Sequence, residues 1–371
     1  MGEFFLKKLV IIGANDFQNQ LILKAKQLGY ETYVFAWEEG AVGKKTADFF
    51  YPISIVEKEI ILDECKKIQP DGVCSIASDL ASITVNYLAE NLGLPCNETV
   101  YTGIQTNKYL MRKALSNADI SCPRFIKTDL QVNKDSVKDF AFPIIVKPTD
   151  RSGSRSIMKL ESVDGLEEAV RNACNVSFEK KAIIEEYIEG DEYSMETITQ
   201  NGVHHYLATT KKFTTGAPHF IETGHKQPSG LDESVINRAR DTVFKALTAL
   251  HIENSAGHSE FKVDCNGDIH IIEIGARMGG DCIGSDLVYL STGNDFMKMV
   301  IDVAIGNTIT VKKPLDKMAE IRFLFNENDI EEMDEFVNQN NDRVLRISKI
   351  EYENLGKTED SSTRLGYYIV V

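Results

Sequence analysis

Short apolar runs alternate with amphipathic stretches through the first hundred residues. Leu9 to Ile12 is apolar throughout, breaks at Gly13, and gives way to helical spacing from about Gln18 to Leu28. "ETYVFAW" reads as a second strand, "ILDECKKIQP" as a helix ended by Pro70, "GVCSIAS" as a third strand and "LASITVNYLAENLGL" as a helix closed near Gly93. Alternation of this kind predicts parallel βαβ units, whose functional groups gather at the carboxyl ends of the strands. Those ends are Gly13-Ala14-Asn15, Trp37-Glu38 and Ser78-Asp79. The first lacks the G-x-G-x-x-G of a dinucleotide loop, since Asn15 and Gln18 stand where later glycines belong. Each of the two either contacts a substrate or caps the helix, with the cap favoured for Asn15.

The pattern changes after Tyr101. "TNKYLMRKALSNADISCPRF" carries a helix and a turn into extended chain, and "FPIIVKPTDRSGSRSIMKL", "VDGLEEAVRNAC" and "AIIEEYI" follow as strand–loop, helix and strand. From about 190 to 310 the chain is richer in strands, and the tail from Pro314 adds the strand "MAEIRFLF", a polar helix and the strand "LGYYIVV". The expected units are 1–100, 101–190, 191–310 and 311–371.

Composition narrows the classes of function. A formal net charge of −15 argues against a nucleic-acid or anionic-membrane surface, while leaving room for a local basic pocket. Seven cysteines without a C-x-x-C pair read as free thiols in a reducing compartment, and no run is long enough to span a bilayer. The N-terminus lacks the layout of a signal peptide, so the expected location is the cytoplasm.

Three stretches carry chemistry. In "FPIIVKPTDRSGS" a β-branched strand delivers Lys147, and a loop with Ser152, Gly153 and Ser154 follows; a lysine at a strand end and free backbone N–H groups suit phosphate oxygens. In "AIIEEYIEGDEYS" a strand-to-strand hinge offers backbone to a base edge, and Glu192 suits a ribose diol. In "HSEFKVDCNGDIHIIEIGARMGGD" two strands flank the turn "CNGD". A hairpin sets Glu260 beside Glu273, and paired carboxylates suit a hard cation shared with phosphate. Arg277 follows, suited to a developing oxyanion. Each stretch taken alone also fits a solvated turn or hairpin edge.

Taken in order, Lys108 in "NKYLMRKAL", Lys147, the hinge, the two glutamates and Arg277 resemble the ATP-grasp superfamily. The strand–helix start resembles the domain preceding that fold in carboxylate–amine ligases. The resemblance implies an α/β chain with an N-terminal Rossmann-like parallel sheet, an α+β ATP-grasp fold with a mobile lid, and a small C-terminal α+β extension. It implies ATP and Mg²⁺, or Mn²⁺, as cofactors. Lys108 and Lys147 would hold phosphates, Ser152 to Ser154 would form the lid, Glu185, Tyr187 and Ile188 would meet the adenine, and Glu192 the ribose. Lys212 would be a further phosphate lysine, with Lys211 its alternative, and Glu260 and Glu273 would carry the metal. Arg277, Lys147 and Lys212 would be catalytic. Glu222, His225, Arg277, Gly279 and Gly280 would face the substrate. The family's E-x-N-x-R reads "EIGAR" here, so Gly275 offers no side chain to a second metal.

The reaction implied is attack of a carboxylate on the γ-phosphate, then displacement of phosphate by an amine. "GAPHFIETGHKQPSG" and "RMGGD" resemble L-amino-acid ligases that make dipeptides, so small-molecule carboxylates and amines are the expected partners, with no nucleic acid or membrane. A homodimer is one assembly the resemblance suggests. The competing readings are a carboxyphosphate-using enzyme, such as a carboxylase or a carbamoyl phosphate synthetase-like protein, a non-catalytic ATP-binding regulator, and an NAD-dependent oxidoreductase.

Overall fold

The computed structural model describes residues 6–217, 220–357 and 361–371. Its N-terminal sheet is parallel and holds β1 (Lys8–Ile12), β2 (Glu31–Phe35), β3 (Phe49–Tyr51) and β4 (Gly72–Cys74) in the order β3-β2-β1-β4. Strand β1 is interior to the sheet, and four of its five residues are buried. That is why it is apolar without alternation. Helices α1 (Asp16–Gln27), α2 (Lys58–Ile68) and α3 (Asp79–Leu92) complete the unit.

Asn15 caps α1. Its side chain accepts from the N–H groups of Phe17 and Gln18, and Gln18 Oε1 accepts from the Asn15 N–H, a capping box. The Gln18 amide also donates to the Ile76 carbonyl at 2.6 Å. Both side chains are therefore occupied in fixing the first loop against the third.

A second sheet is antiparallel, with β5 (Phe125–Thr128), β6 (Ile144–Pro148), β7 (Met158–Leu160) and β8 (Ala182–Glu186) in the order β5-β8-β6-β7. The third has eight strands, again antiparallel. They are β9 (Asp191–Gln200), β10 (Val203–Thr214), β11 (Glu222–Gln227), β12 (Ser255–Val263), β13 (Ile269–Gly275), β14 (Ala319–Leu324), β15 (Val344–Ile347) and β16 (Gly366–Val370). Their order is β13-β12-β9-β10-β11-β14-β16-β15. The C-terminal extension thus continues the large sheet from β11, where Gly224 pairs with Arg322, and leaves no edge at β11 itself.

The first and third sheets share one core. Leu9, Ile11 and Leu21 pack in the same cluster as Ile198, Leu207, Met278 and Phe296. No helix among the described residues is long and apolar enough to cross a membrane. All seven cysteines are free, and burial pushes the thiols of Cys65, Cys74 and Cys282 up to about 12.

One glycine joins the second and third sheets. Gly190 sits at φ +135°, and a Cβ there would run into the Val263 carbonyl on the hairpin. Gly190→Ala is expected to destabilise the fold by about 2–4 kcal/mol, read from the urea midpoint. A loss below about 0.5 kcal/mol would show that the hinge relaxes freely.

Candidate active site

The cleft between the second and third sheets is built from strand ends. Lys147 reaches it from β6, Glu185 from β8, Glu192 from β9, Lys212 from β10, and Glu260 and Glu273 from β12 and β13. Lys108 enters from the start of the helix Lys108–Asn117. Glu260 and Glu273 are direct cross-strand partners, and a β-bulge follows Glu260.

Each hairpin carboxylate already holds an ammonium. Lys212 Nζ lies 2.5 Å from Glu260, 3.0 Å from Glu192 and 3.7 Å from Glu222. Lys108 Nζ donates to Glu273 at 2.7 Å and to the Arg151 carbonyl at 2.6 Å, which ties down the start of the serine loop. Burial works against a charged Lys212, yet Glu260, Glu192 and Glu222 raise its pKa well above the ordinary value. Burial likewise opposes ionisation of Glu260, and Lys212 with His258 hold it well below the carboxylate range. The His258 ring, between Glu196 at 2.6 Å and Glu260 at 3.3 Å, is lifted to about 9 by these carboxylates against its burial.

A second cluster has a surplus of positive charge. Arg112 Nε and Lys147 Nζ each lie 2.7 Å from Glu185, on its two different oxygens. All three residues are at most 5% exposed. Burial pulls Lys147 below the usual ammonium range, and Glu185 only partly restores it. Two cations share one carboxylate, and of the two Lys147 alone lines the cleft.

The remaining expected residues fall into two groups. Ser152, Gly153, Ser154, Tyr187, Ile188 and Arg277 line the cleft with those above. Lys159 and Lys262 lie 4.4 and 4.1 Å from the Tyr187 ring centre, and Lys262 donates to the Ile188 carbonyl at 2.9 Å. The Glu185 carboxylate is committed to the cations, and its backbone lies within β8 between β5 and β6, so neither is free for a base. Of the two candidate lysines, Lys212 faces the cleft, whereas Lys211 pairs with Asp191 at 2.6 Å and lies over Tyr193.

His225, Gly279 and Gly280, expected to face substrate, do not line this cleft. His225 is opposite Lys212 in register, but it is 1% exposed, with its Nε2 3.7 Å from Asp281 and its ring edge-on to Phe323. Asp281 in turn pairs with Arg364 at 2.9 Å. Glu222 does line the cleft, yet it accepts from Arg364 and Ser361, each at 3.2 Å. Gly279 packs under Glu196 and His258, where a Cβ would come within 2.9 Å of both, and Gly280 faces Ala77.

Sequence reasoning did not single out Arg112, Glu196, His258 or Arg364. His258 had a usable signal, since it lies two residues before Glu260 and so on the same strand face. Arg112 lies on the face of its helix shared with Lys108, four residues on. Arg364 had none.

Beside the cleft lies a cavity of about 560 Å³, walled by the N-terminal loops at Gly13–Asn15, Trp37, Gly40 and Asp79. It shares Lys108, Arg151, Ser152, Arg155 and Glu273 with the cleft. The strand ends of the first sheet therefore border a cavity that Lys108 and Glu273 also line.

Residues 140–286 match the ATP-grasp domain family. That segment reads as an ATP-grasp domain. The matched segment runs from just before β6 through the hairpin into the helical turn Ile283–Leu287, so it contains all the cleft residues named above except Lys108. Similar proteins extend the likeness. A formate-dependent phosphoribosylglycinamide formyltransferase of Prochlorococcus marinus is 25% identical over 67% of this chain and 65% of its own length. An alanine–anticapsin ligase of Bacillus subtilis is 26% identical over 64% of this chain and 57% of its own. The chain thus spans less than two thirds of either relative. An L-amino acid ligase structure from Bacillus licheniformis matches with a TM-score of 0.80 at 22% identity, over 98% of this chain and 93% of that one. A phosphoribosylglycinamide synthetase structure from Anaerococcus prevotii matches at 0.77 and 21% identity, over 99% and 94%. These likenesses extend the ATP-grasp domain's surroundings to the whole fold, including the N-terminal sheet.

The donor set fits a hard divalent cation. Glu260 and Glu273 supply oxygen only, and among the described residues no group of three or more His, Cys, Asp or Glu side chains is placed to hold a metal alone. A cation here would complete its shell with phosphate oxygens and water, the usual habit of Mg²⁺.

Proposed function

We propose that the chain is an ATP-dependent carboxylate–amine ligase that acts on amino acids or a small peptide and releases ADP and phosphate. The observation that carries this reading is Lys147, which lines the cleft while sharing the Glu185 carboxylate with Arg112, in the same cleft as the Glu260–Glu273 pair. That arrangement accommodates a polyphosphate between a basic wall and a metal-holding wall. Mg²⁺ on Glu260 and Glu273 would neutralise phosphate charge, with Lys108 and Lys212 moving from these carboxylates to phosphate oxygens.

In this reading Lys147 holds the phosphates, Glu192 the ribose, and the hinge at Tyr187-Ile188 the base. Arg277 steadies the phosphate as a substrate carboxylate attacks it, and the acyl phosphate then meets an amine. The cleft encloses only about 150 Å³, less than the roughly 300–1,000 Å³ of ordinary ligand sites. Entry therefore requires the Ser152–Ser154 loop and the lysine pairs to part, and their return excludes water from the acyl phosphate. The adjoining cavity supplies the room for a carboxylate or amine substrate. Amino acids are favoured by the likeness to the alanine–anticapsin and L-amino acid ligases, and free thiols favour a cytoplasmic setting.

The test is a phosphate-release screen of amino-acid pairs with Mg-ATP. Release that needs both a carboxylate and an amine, with an amide found by mass spectrometry, is the expected result. Protein that binds ATP yet releases no phosphate with any pair would sink the ligase reading and leave a nucleotide-binding regulator.

A further inference from the structure

The N-terminal domain reaches the phosphate end of the cleft through one carboxylate. Asp79, the first residue of α3, faces Arg277, whose Nε donates to Oδ1 at 2.9 Å and whose Nη2 donates to Oδ2 at 3.4 Å. Two parallel contacts fix the plane of a guanidinium in a way that a single one does not. The side chains are 21% and 17% exposed, so the pair is largely shielded from water.

The loop before Asp79 is held in place for this contact. Ala77 sits at φ +57°, a left-handed conformation that costs energy for a residue with a Cβ. Its N–H donates to the Met278 carbonyl at 3.2 Å, next to Arg277 itself. Ile76 is tied to Gln18, and Ser78 caps α3 through the Ala81 N–H. Met278 is 1% exposed in the core that the two domains share, so the loops cannot separate without opening that core.

Gly275 completes the arrangement. A Cβ at this position would lie 3.0 Å from Asp79 Oδ1 and 3.1 Å from Arg277 Nε. Any side chain would press on the ion pair, including the asparagine of the E-x-N-x-R pattern. The space beside Arg277 holds a carboxylate from another domain.

We propose that Asp79 is the positioning residue for Arg277 and that Gly275 is the notch that admits it. Arg277 lines the nucleotide cleft, so a guanidinium locked in one plane presents the same donors to phosphate at each turnover. The use made of Arg277 rests on the ligase reading, whereas the pairing and the notch do not.

The test is a double-mutant cycle of Asp79→Ala and Gly275→Ala in the full chain, with three readouts. Fluorescent ADP should bind each variant within about threefold of the parent, because the base and phosphate contacts lie elsewhere. Phosphate release at saturating ATP should fall about thirtyfold in Asp79→Ala and about tenfold in Gly275→Ala. Gly275→Ala should cost less than about twofold once Asp79 is gone, since Arg277, the other neighbour of the added Cβ, is then free to move aside. In protein labelled with ¹⁵N-arginine, one slowly exchanging Nε–H signal should vanish in both Asp79→Ala and Arg277→Lys. If Asp79→Ala does not fold, Asp79→Asn, which keeps the shape and one acceptor, should give an intermediate loss of turnover and a shifted signal.

An unchanged Nε–H spectrum in the Asp79 variant would overturn the pairing. Costs that multiply across the cycle would overturn the notch. Either result can be obtained while the parent protein still makes its product. Absence of any product from the parent, with the spectral change intact, would instead count against the ligase reading alone.

Discussion

Exchanging Glu273 for glutamine is expected to cut ATP-dependent phosphate release by about a thousandfold or more while the protein remains folded. The amide matches the carboxylate in size but offers no anionic oxygen to a hard cation, and charge placed against transferring phosphate is commonly worth 10²–10³ in rate. Stability should fall only modestly. Glu273 is 29% exposed on its side chain but Lys108 only 6%, so weakening their 2.7 Å pair leaves a buried ammonium with the Arg151 carbonyl, a loss of about 1–3 kcal/mol. Phosphate release and thermal denaturation of the same preparation check both halves. A variant that keeps a tenth of the parent's turnover would remove the hairpin from the active site.

Glu185→Gln should do the reverse, acting first on stability. Glu185 is 2% exposed and is, among the described residues, the one carboxylate paired with both Arg112 and Lys147. Burial resists its charge, yet the two cations hold it below the ordinary carboxylate range. Removing its charge leaves two cations in the interior without a counterion, a loss of about 3–5 kcal/mol. The urea midpoint should fall accordingly, and adding ATP should recover part of the loss by supplying phosphate charge. Combining Glu185→Gln with Arg112→Met should be less damaging than Glu185→Gln alone, because one stranded cation is gone. A loss under about 1 kcal/mol would mean that water reaches the cluster and that no surplus charge awaits an anion.

The parts of this site legible in the sequence are those carried by local pattern. A thirteen-residue spacing across "CNGD" was enough to set Glu260 beside Glu273, because a hairpin is a short-range device, and the two are indeed cross-strand partners. The cap at Asn15 was legible for the same reason, through the oxygen it offers three residues on. Lys211 and Lys212 could not be separated in sequence, since adjacent residues in a strand take opposite faces and only the pairing register decides which face is the cleft. The surroundings of His225 were not legible, because they depend on Asp281 and on Arg364, which arrives from the C-terminal segment. The Asp79–Arg277 pair joins residues 198 positions apart. No periodicity records such a contact. The glycine in "EIGAR" did record it, as a departure whose reason became visible only when the other domain was in place.

Oxygen transfer tests the central claim most directly. The carboxylate substrate found in the amino-acid screen is labelled with ¹⁸O in both carboxyl oxygens and turned over with unlabelled Mg-ATP and the amine, and the released phosphate is examined by ³¹P NMR. An acyl phosphate on the path places one ¹⁸O in each phosphate, with ADP as the nucleotide product. Phosphate free of ¹⁸O, or AMP and pyrophosphate as products, would contradict the account.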